Sequence, residues 1–210
     1  MYSKCKIILF LGFVILLFSC ASVSYTDKHQ LVSEIQTLDK KTYVSKKNSQ
    51  LLLKHDILHF TKNGRVKSSI SLDNNNDTLV TTKKKLWFTK QSYPDKDPYY
   101  CKTRWKPKNR ERISCYTQKQ YKKNEAIYYY HKNGSINKIE DNFTNFYTKH
   151  YTYKNNDVSK ITIVNKANDT IEVIKINCLK KDTSGTCLEE VQTYTQTDSV
   201  ITIYRYPKYF

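Results

Sequence analysis

The chain has 210 residues, with 36 lysines and arginines against 19 acidic residues, a formal net charge of +17. Its four glycines, at 12, 64, 134 and 185, are too few and too scattered for a phosphate-cradling loop, and no Gly-x-Ser-x-Gly elbow or dinucleotide fingerprint occurs. Eighteen tyrosines, with frequent Thr, Ile and Val, favour strands, because flat and β-branched side chains pack well on a pleated surface.

The first element is apolar. Residues 7–18, IILFLGFVILLF, follow Lys4 and Lys6 and precede the first acid, Asp27. Twelve residues of helix reach only ~18 Å, against a hydrocarbon core of ~30 Å. The run therefore reads as a secretory leader rather than a membrane span. Its end, Leu17-Phe18-Ser19-Cys20, resembles the lipobox of bacterial lipoproteins. The resemblance covers about the first 20 residues. It implies that the Cys20 thiol takes a diacylglyceryl group, that residues 1–19 are removed, and that the new amino end is acylated, with palmitate as the expected fatty acid. Two or three chains would anchor the protein stably, since each buried methylene contributes ~0.8 kcal/mol. By the sorting rule of such lipoproteins, Ala21 after the cysteine implies the outer membrane, on either its periplasmic or its surface face.

Residues 20–50 read as a lipidated tether with a short helix. In DKHQLVSEIQTL, Asp27 and Gln30 fit a variant capping box, and Leu31, Ile35 and Leu38 share one helical face. DKKTYVSKKNSQ reads as a charged connector.

Residues 51–210 read as a single antiparallel β domain. Asn63-Gly64 and Asn133-Gly134 each separate two strand-like runs and predict tight hairpins with positive φ. Asn155-Asn156-Asp157 is a weaker turn signal. Further strands are expected at 78–89, 113–117, 144–153, 170–177, 190–196 and 200–206. Strict alternation places Tyr147, Tyr151 and Tyr153 on one face, as an aromatic ladder or a stacking platform. Two internal alignments recur. Phe60, Lys62, Asn63, Gly64 and Val66 match Tyr130, Lys132, Asn133, Gly134 and Ile136, and at an offset of 92 Lys62-Asn63, Val66 and Asn76-Asp77-Thr78-Leu79 match Lys154-Asn155, Val158 and Asn168-Asp169-Thr170-Ile171. The pattern loosely resembles the tyrosine-rich YD (RHS-type) repeats of bacterial surface proteins over residues 55–175, a resemblance that implies scaffold rather than chemistry. The expected fold is mainly β, an antiparallel meander of repeated hairpins forming an open sheet. A closed, lipocalin-like barrel is the alternative.

Four cysteines follow Cys20: Cys101, Cys115, Cys178 and Cys187. An even number in an exported chain predicts two disulfides, with local pairing 101–115 and 178–187 preferred. A zinc site built from all four lacks the short paired spacing such sites use. HDILH at 55–59 lacks the helical His-Glu-x-x-His arrangement of a zinc protease, so His55 and His59 are read as strand residues. Asp95 and Asp97, between two prolines, read as a solvated turn. No catalytic constellation, metal site or cofactor is expected.

One segment rises above the general lysine enrichment. In CKTRWKPKNRERISC, Lys102, Arg104, Lys106, Lys108, Arg110 and Arg112 recur at every second position, and three of the five arginines lie here. An extended chain would place all six on one side, with Trp105 on the other. Arginine forks suit phosphate and carboxylate, so the candidate partners are anionic lipid, acidic polysaccharide or an acidic protein. Nucleic acid is not expected for an exported chain. The competing reading is a soluble basic edge that discourages aggregation. The function expected is thus non-catalytic: a membrane-anchored exported lipoprotein whose β domain binds or supports. The alternatives are a carrier of an apolar ligand and an immunity or inhibitor lipoprotein.

Overall fold

The computed structural model describes residues 23–29, 31, 34–46, 49–106 and 109–210, with backbone alone at 46, 105 and 106. Among the described residues, a short helix α1 (Tyr25–His29) precedes fourteen strands. These are β1 (Ile35–Lys46), β2 (Ser49–Phe60), β3 (Val66–Leu72), β4 (Thr78–Lys84), β5 (Thr89–Ser92), β6 (Tyr99–Lys106) and β7 (Arg110–Tyr116). There follow β8 (Lys122–Tyr130), β9 (Ile136–Asp141), β10 (Thr148–Lys154), β11 (Asp157–Val164), β12 (Thr170–Lys181), β13 (Cys187–Tyr194) and β14 (Val200–Tyr209). Each strand pairs antiparallel with its sequence neighbours, and β1 also pairs with β14, from Ile35 opposite Tyr209 to Ser45 opposite Val200. The meander is therefore a closed barrel and not the open sheet the sequence favours. Closure removes both free edges, which an open meander would have to protect.

The β domain begins at Ile35 rather than at 51. The helix expected over 27–38 is confined to Tyr25–His29, and the expected connector is the β1/β2 hairpin. The cause is a register shift in β1 between Ile35 and Thr37. A bulge lets two residues three apart face the same way, so Ile35 and Leu38 both point inward and imitate helical spacing. They are fully buried with Leu58 and Phe60, and Tyr25, Leu31, Val66 and Tyr209 pack around them.

Six hairpins use one five-residue turn. In Thr61–Arg65, the Thr61 N–H donates to the Arg65 carbonyl and the Gly64 N–H to the Thr61 carbonyl, both at 2.9 Å. The same pair of bonds recurs at 73–77, 117–121, 131–135, 165–169 and 182–186. The fourth residue, Gly64, Asn76, Gln120, Gly134, Asn168 or Gly185, has positive φ. This is a type I turn closed by a left-handed bulge residue. The Asn-Gly pairs thus form the longer turn, with only the glycine left-handed. A two-residue turn with positive φ at both positions belongs instead to Asn155-Asn156, at 51° and 67°. The turn also explains the first internal alignment, which matches Gly64 to Gly134, and the part of the second that matches Asn76 to Asn168; the part that matches Lys62-Asn63 to Lys154-Asn155 sets this turn against a two-residue one.

In an antiparallel meander alternate turns lie at opposite ends. Turns β2/β3, β4/β5, β6/β7, β8/β9, β10/β11 and β12/β13 form one rim, called the near rim, and the others form the far rim. Helix α1 sits at the near rim. The N–H groups of Tyr25 and Thr26 donate to the Gly64 carbonyl at 3.1 and 3.3 Å. A Cβ on Gly64 would lie 2.0 Å from Thr26 Oγ1, and one on Gly134 would lie 3.0 Å from Asp27 Cβ.

Candidate functional site: the interior hollow and the basic outer wall

The barrel interior above α1 encloses a cavity of about 250 Å³. Its apolar wall comes from β9, β11, β12 and β14, with Ile136, Val158, Ile161, Ile176 and Ile203, and Tyr151 of β10 lies beside them. Polar side chains adjoin it: Lys28 and His29 of α1, Lys40 of β1, Glu190 and Gln192 of β13, and Arg205 of β14. Strand alternation puts Lys40 two residues from Leu38 on the inner face.

Each cation has a carboxylate partner, behind the lining for Lys28 and Lys40 and within it for Arg205. Lys28 Nζ reaches Glu111 Oε2 at 2.5 Å, and the Tyr130 hydroxyl donates to the same oxygen at 2.6 Å. Lys28 Nζ also stands 5.4 Å from the ring centres of both Tyr128 and Tyr130. Lys40 pairs with Asp56 at 3.0 Å, directly across the β1/β2 ladder. Asp56 also accepts from Lys54 at 2.8 Å and from Ser71. Burial alone would raise the Asp56 carboxyl pKa, but Lys40, Lys54 and Ser71 outweigh it and hold the group below its ordinary value. Arg205 pairs with Glu190 at 2.9 Å.

His29 reports the field in this space. It retains accessible surface, yet barrel wall surrounds it, so that surface faces the hollow. Desolvation first, then the charges of Lys40, Arg205 and Lys28, lower its pKa to about 3, and the ring is neutral at pH 7. Burial raises the Tyr25 hydroxyl to about 12. The lining itself presents three cations and one carboxylate, because Glu111 and Asp56 stand behind it. Sequence patterning did not reveal this site. Its residues come from eight elements, and signals such as Lys40 inside an alternating strand resemble ordinary lysine usage.

The basic ribbon folds back on itself. β6 and β7 pair with Cys101 opposite Cys115, Arg104 opposite Arg112 and Lys106 opposite Arg110. In each pair the two numbers share parity, so the even-numbered residues of both strands share a face although the chain reverses. That face is the outer wall, because Glu111 points inward. Lys102 and Arg104 are exposed. Arg112 Nε is 4.0 Å from Glu125 Oε2, and Arg110 stacks 5.8 Å from the Tyr129 ring. Glu125 is buried against Ser114, Asn142 and Lys122. Burial pushes its pKa up, but those hydrogen bonds and the Lys122 charge bring it down to about 2. The expected roles of Lys108 and of the Trp105 and Lys106 side chains, and that of Cys20, fall outside the described residues. Cys101–Cys115 and Cys178–Cys187 form disulfides. His55 bonds Asp39 at 2.8 Å on β2, and Asp95 and Asp97 are exposed in the β5/β6 turn. Among the described residues no group of three His, Cys, Asp or Glu side chains is placed to hold a metal. None of their helices is long and apolar enough to cross a membrane.

No protein-family model matches the sequence, and no curated protein matches it. Among solved structures, a LolA superfamily protein from Nitrosomonas europaea aligns over 86% of this chain and 88% of its own, at 5% identity and a TM-score of 0.40. An outer membrane lipoprotein-sorting protein domain from Vibrio parahaemolyticus aligns over 82% and 85%, at 6% identity and 0.38. A porin-like protein from Bacteroides uniformis aligns over 77% of this chain and 56% of its own, at 9% identity and 0.38. Likeness at this level assigns neither family nor activity.

Proposed function

We propose that this protein is an exported, non-catalytic binding barrel that carries a small amphipathic anion in its interior. The observation supporting this reading is the mixed lining of the hollow: isoleucine and valine side chains with Lys28, Lys40 and Arg205 beside them. At about 250 Å³ it lies just below the ~300–1,000 Å³ usual for small-molecule pockets. It therefore suits one short acyl chain or an aromatic acid, not a whole phospholipid. The apolar body would lie against Ile161 and Ile176, and the anionic head would approach Lys40 and Arg205 beside neutral His29. Two disulfides fit an oxidising compartment, and the Leu17-Phe18-Ser19-Cys20 motif fits anchoring to the bacterial envelope.

Decanoate is the probe. Calorimetric titration of the intact protein is expected to show one saturable site. Ile161→Trp fills the hollow and abolishes the signal. Lys40→Gln weakens binding about tenfold or more, the worth of one hydrogen bond to a charged group. Asp56 keeps Lys54 and Ser71 in that variant, so the fold survives. Decanoate that fails to bind, or binds Ile161→Trp equally well, rules the reading out.

A further inference from the structure

Leu86 and Trp87, at the tip of the β4/β5 hairpin, are 83% and 80% exposed, the most exposed large apolar side chains of the described residues. Three apolar residues follow one another here, yet only Phe88 turns back to the wall, its ring 5.4 Å from that of Tyr100. The Lys85 N–H donates to the Phe88 carbonyl at 2.8 Å and holds the tip closed, with Leu86 and Trp87 projecting beyond it. Lys84, Lys85 and Lys90 flank the pair.

The hairpin belongs to the near rim, and the rest of that rim has the same character. Lys62 and Arg65 lie in the β2/β3 turn, Lys132 in the β8/β9 turn and Lys181 at the end of β12. Two further exposed apolar residues, Leu179 and Phe210, lie near the same rim by β12 and β14. On the outer wall leading to it Lys83 stands directly opposite Lys90. Such a like-charged cross-strand pair is destabilising by itself, and an external anion relieves it. The far rim also exposes large apolar residues, Leu79, Tyr121, Phe143, Phe146 and Ile171, but none as fully as Leu86 or Trp87, and the charges around them are mixed: Lys119, Lys122 and Lys123 flank Tyr121, and Lys166 stands 5.8 Å from the Phe146 ring.

The chain supplies a second, independent pointer. Val23 and Ser24 enter the barrel at the near rim, beside Gly134 and Gly64. Only Ala21 and Ser22 separate Val23 from Cys20, three residue steps with a reach of at most about 11 Å. An acyl anchor on Cys20 would therefore hold this rim, and not the other, against the bilayer.

We infer that the near rim is a membrane-docking surface, on which Leu86 and Trp87 insert into the interface of a bilayer bearing anionic head groups while Lys84, Lys85 and Lys90 meet the phosphates. Tryptophan favours that interface because its ring is amphipathic, and lysine stems lie along apolar surface while their ammonium groups stay at head-group level. The far rim then faces water. This orientation does not depend on what the hollow holds.

The test uses the full chain, exported and processed by the producing cell, on phosphatidylglycerol vesicles with brominated acyl chains. In a Trp105→Phe background, Trp87 fluorescence is quenched and shifted to the blue. A lone tryptophan on the far rim, from Tyr121→Trp with Trp87→Phe and Trp105→Phe, is not. Should Trp105→Phe fail to fold, loss of quenching on Trp87→Phe alone gives the same reading. Lys84→Glu with Lys85→Glu lowers partition to vesicles, or quenching of the anchored protein, about tenfold or more, and added salt does likewise. An unquenched Trp87, or equal quenching at 121, overturns the inference. The mass of the processed chain reports acylation separately. An unmodified Cys20 removes the anchor, while Trp87 quenching still decides which rim meets the lipid.

Discussion

The two rims of the barrel are built from the same turn and differ in what surrounds it. Three copies lie on each rim. Near-rim copies have glycine at the left-handed position, Gly64, Gly134 and Gly185; far-rim copies have Asn76, Gln120 and Asn168. The backbone demand is nearly the same, with φ of 65° at Gly64 and 66° at Asn76. At Gly64 and Gly134, however, α1 leaves no room for a Cβ. The charge pattern differs as well. Lys62, Arg65, Lys84, Lys85, Lys132 and Lys181 lie at one end, while at the other Asp73, Asp77, Asp95, Asp97, Asp169 and Asp198 are interspersed with Lys96, Lys119, Lys122, Lys123 and Lys166. Two near-rim acids are engaged, Asp157 by Lys181 and Asp182 by the Tyr209 hydroxyl. Far-rim aspartates serve their own turns: Asp73 Oδ1 accepts the N–H groups of Asn75 and Asp77. One rim is thus sealed by a helix and mainly basic, and the other is self-contained and of mixed charge.

Removing what seals the near rim should have the largest effect. Lys28→Ala leaves Glu111, 1% exposed, without its cation. Stripping one partner from a buried pair costs about 3–5 kcal/mol, so the Tm should fall by about 6–20 °C, and adding Glu111→Gln should recover part of the loss. Gly64→Ala comes next. It combines a left-handed alanine, about 1–2 kcal/mol, with overpacking against Thr26, about 1–3 kcal/mol. Gly185→Ala meets nothing within 4 Å and should show the first contribution alone. Denaturant titration of both variants measures the helix contact by difference, and equal losses would show that α1 does not set the glycine requirement.

In the wall between β7 and β8, Glu125→Gln should lower the Tm at pH 7. The folded pKa of Glu125 is held near 2, below its ordinary 4.5. Its stabilisation is therefore complete above pH 4.5 and disappears as pH falls through 2. The variant and the wild type should converge across that window in pH-dependent thermal melts. The smallest change is on the far rim. Asp73→Ala removes two hydrogen bonds in an exposed turn and should cost only about 1 kcal/mol in the same titration. A larger loss would show that the far rim is not self-contained.

Several of these features were readable before the fold was known. The β class follows from tyrosine and β-branched content, and most strands from the turn residues between alternating runs. The Lys102–Arg112 periodicity correctly placed its described basic residues on one face, because the β6/β7 register preserves parity. The pattern failed where a bulge intervened, at Ile35 and Leu38, since three-residue spacing inward is shared by a helix and a bulged strand. It also failed at Asn63-Gly64 and Asn133-Gly134, where residue type allowed two turn lengths and the strand register selected the longer one. The hollow was not readable, because Lys28, Lys40 and Arg205 converge from opposite ends of the chain.

By itself the sequence determined local matters: where strands run, where they reverse, which residues alternate, and which neighbouring cysteines can meet. Each depends on steric preferences within a few residues. The tertiary structure alone decided closure, the two rims and the interior. Pairing Ile35 with Tyr209 joins positions separated by most of the chain, and only that long-range contact converts alternation into inside and outside and successive turns into opposite ends.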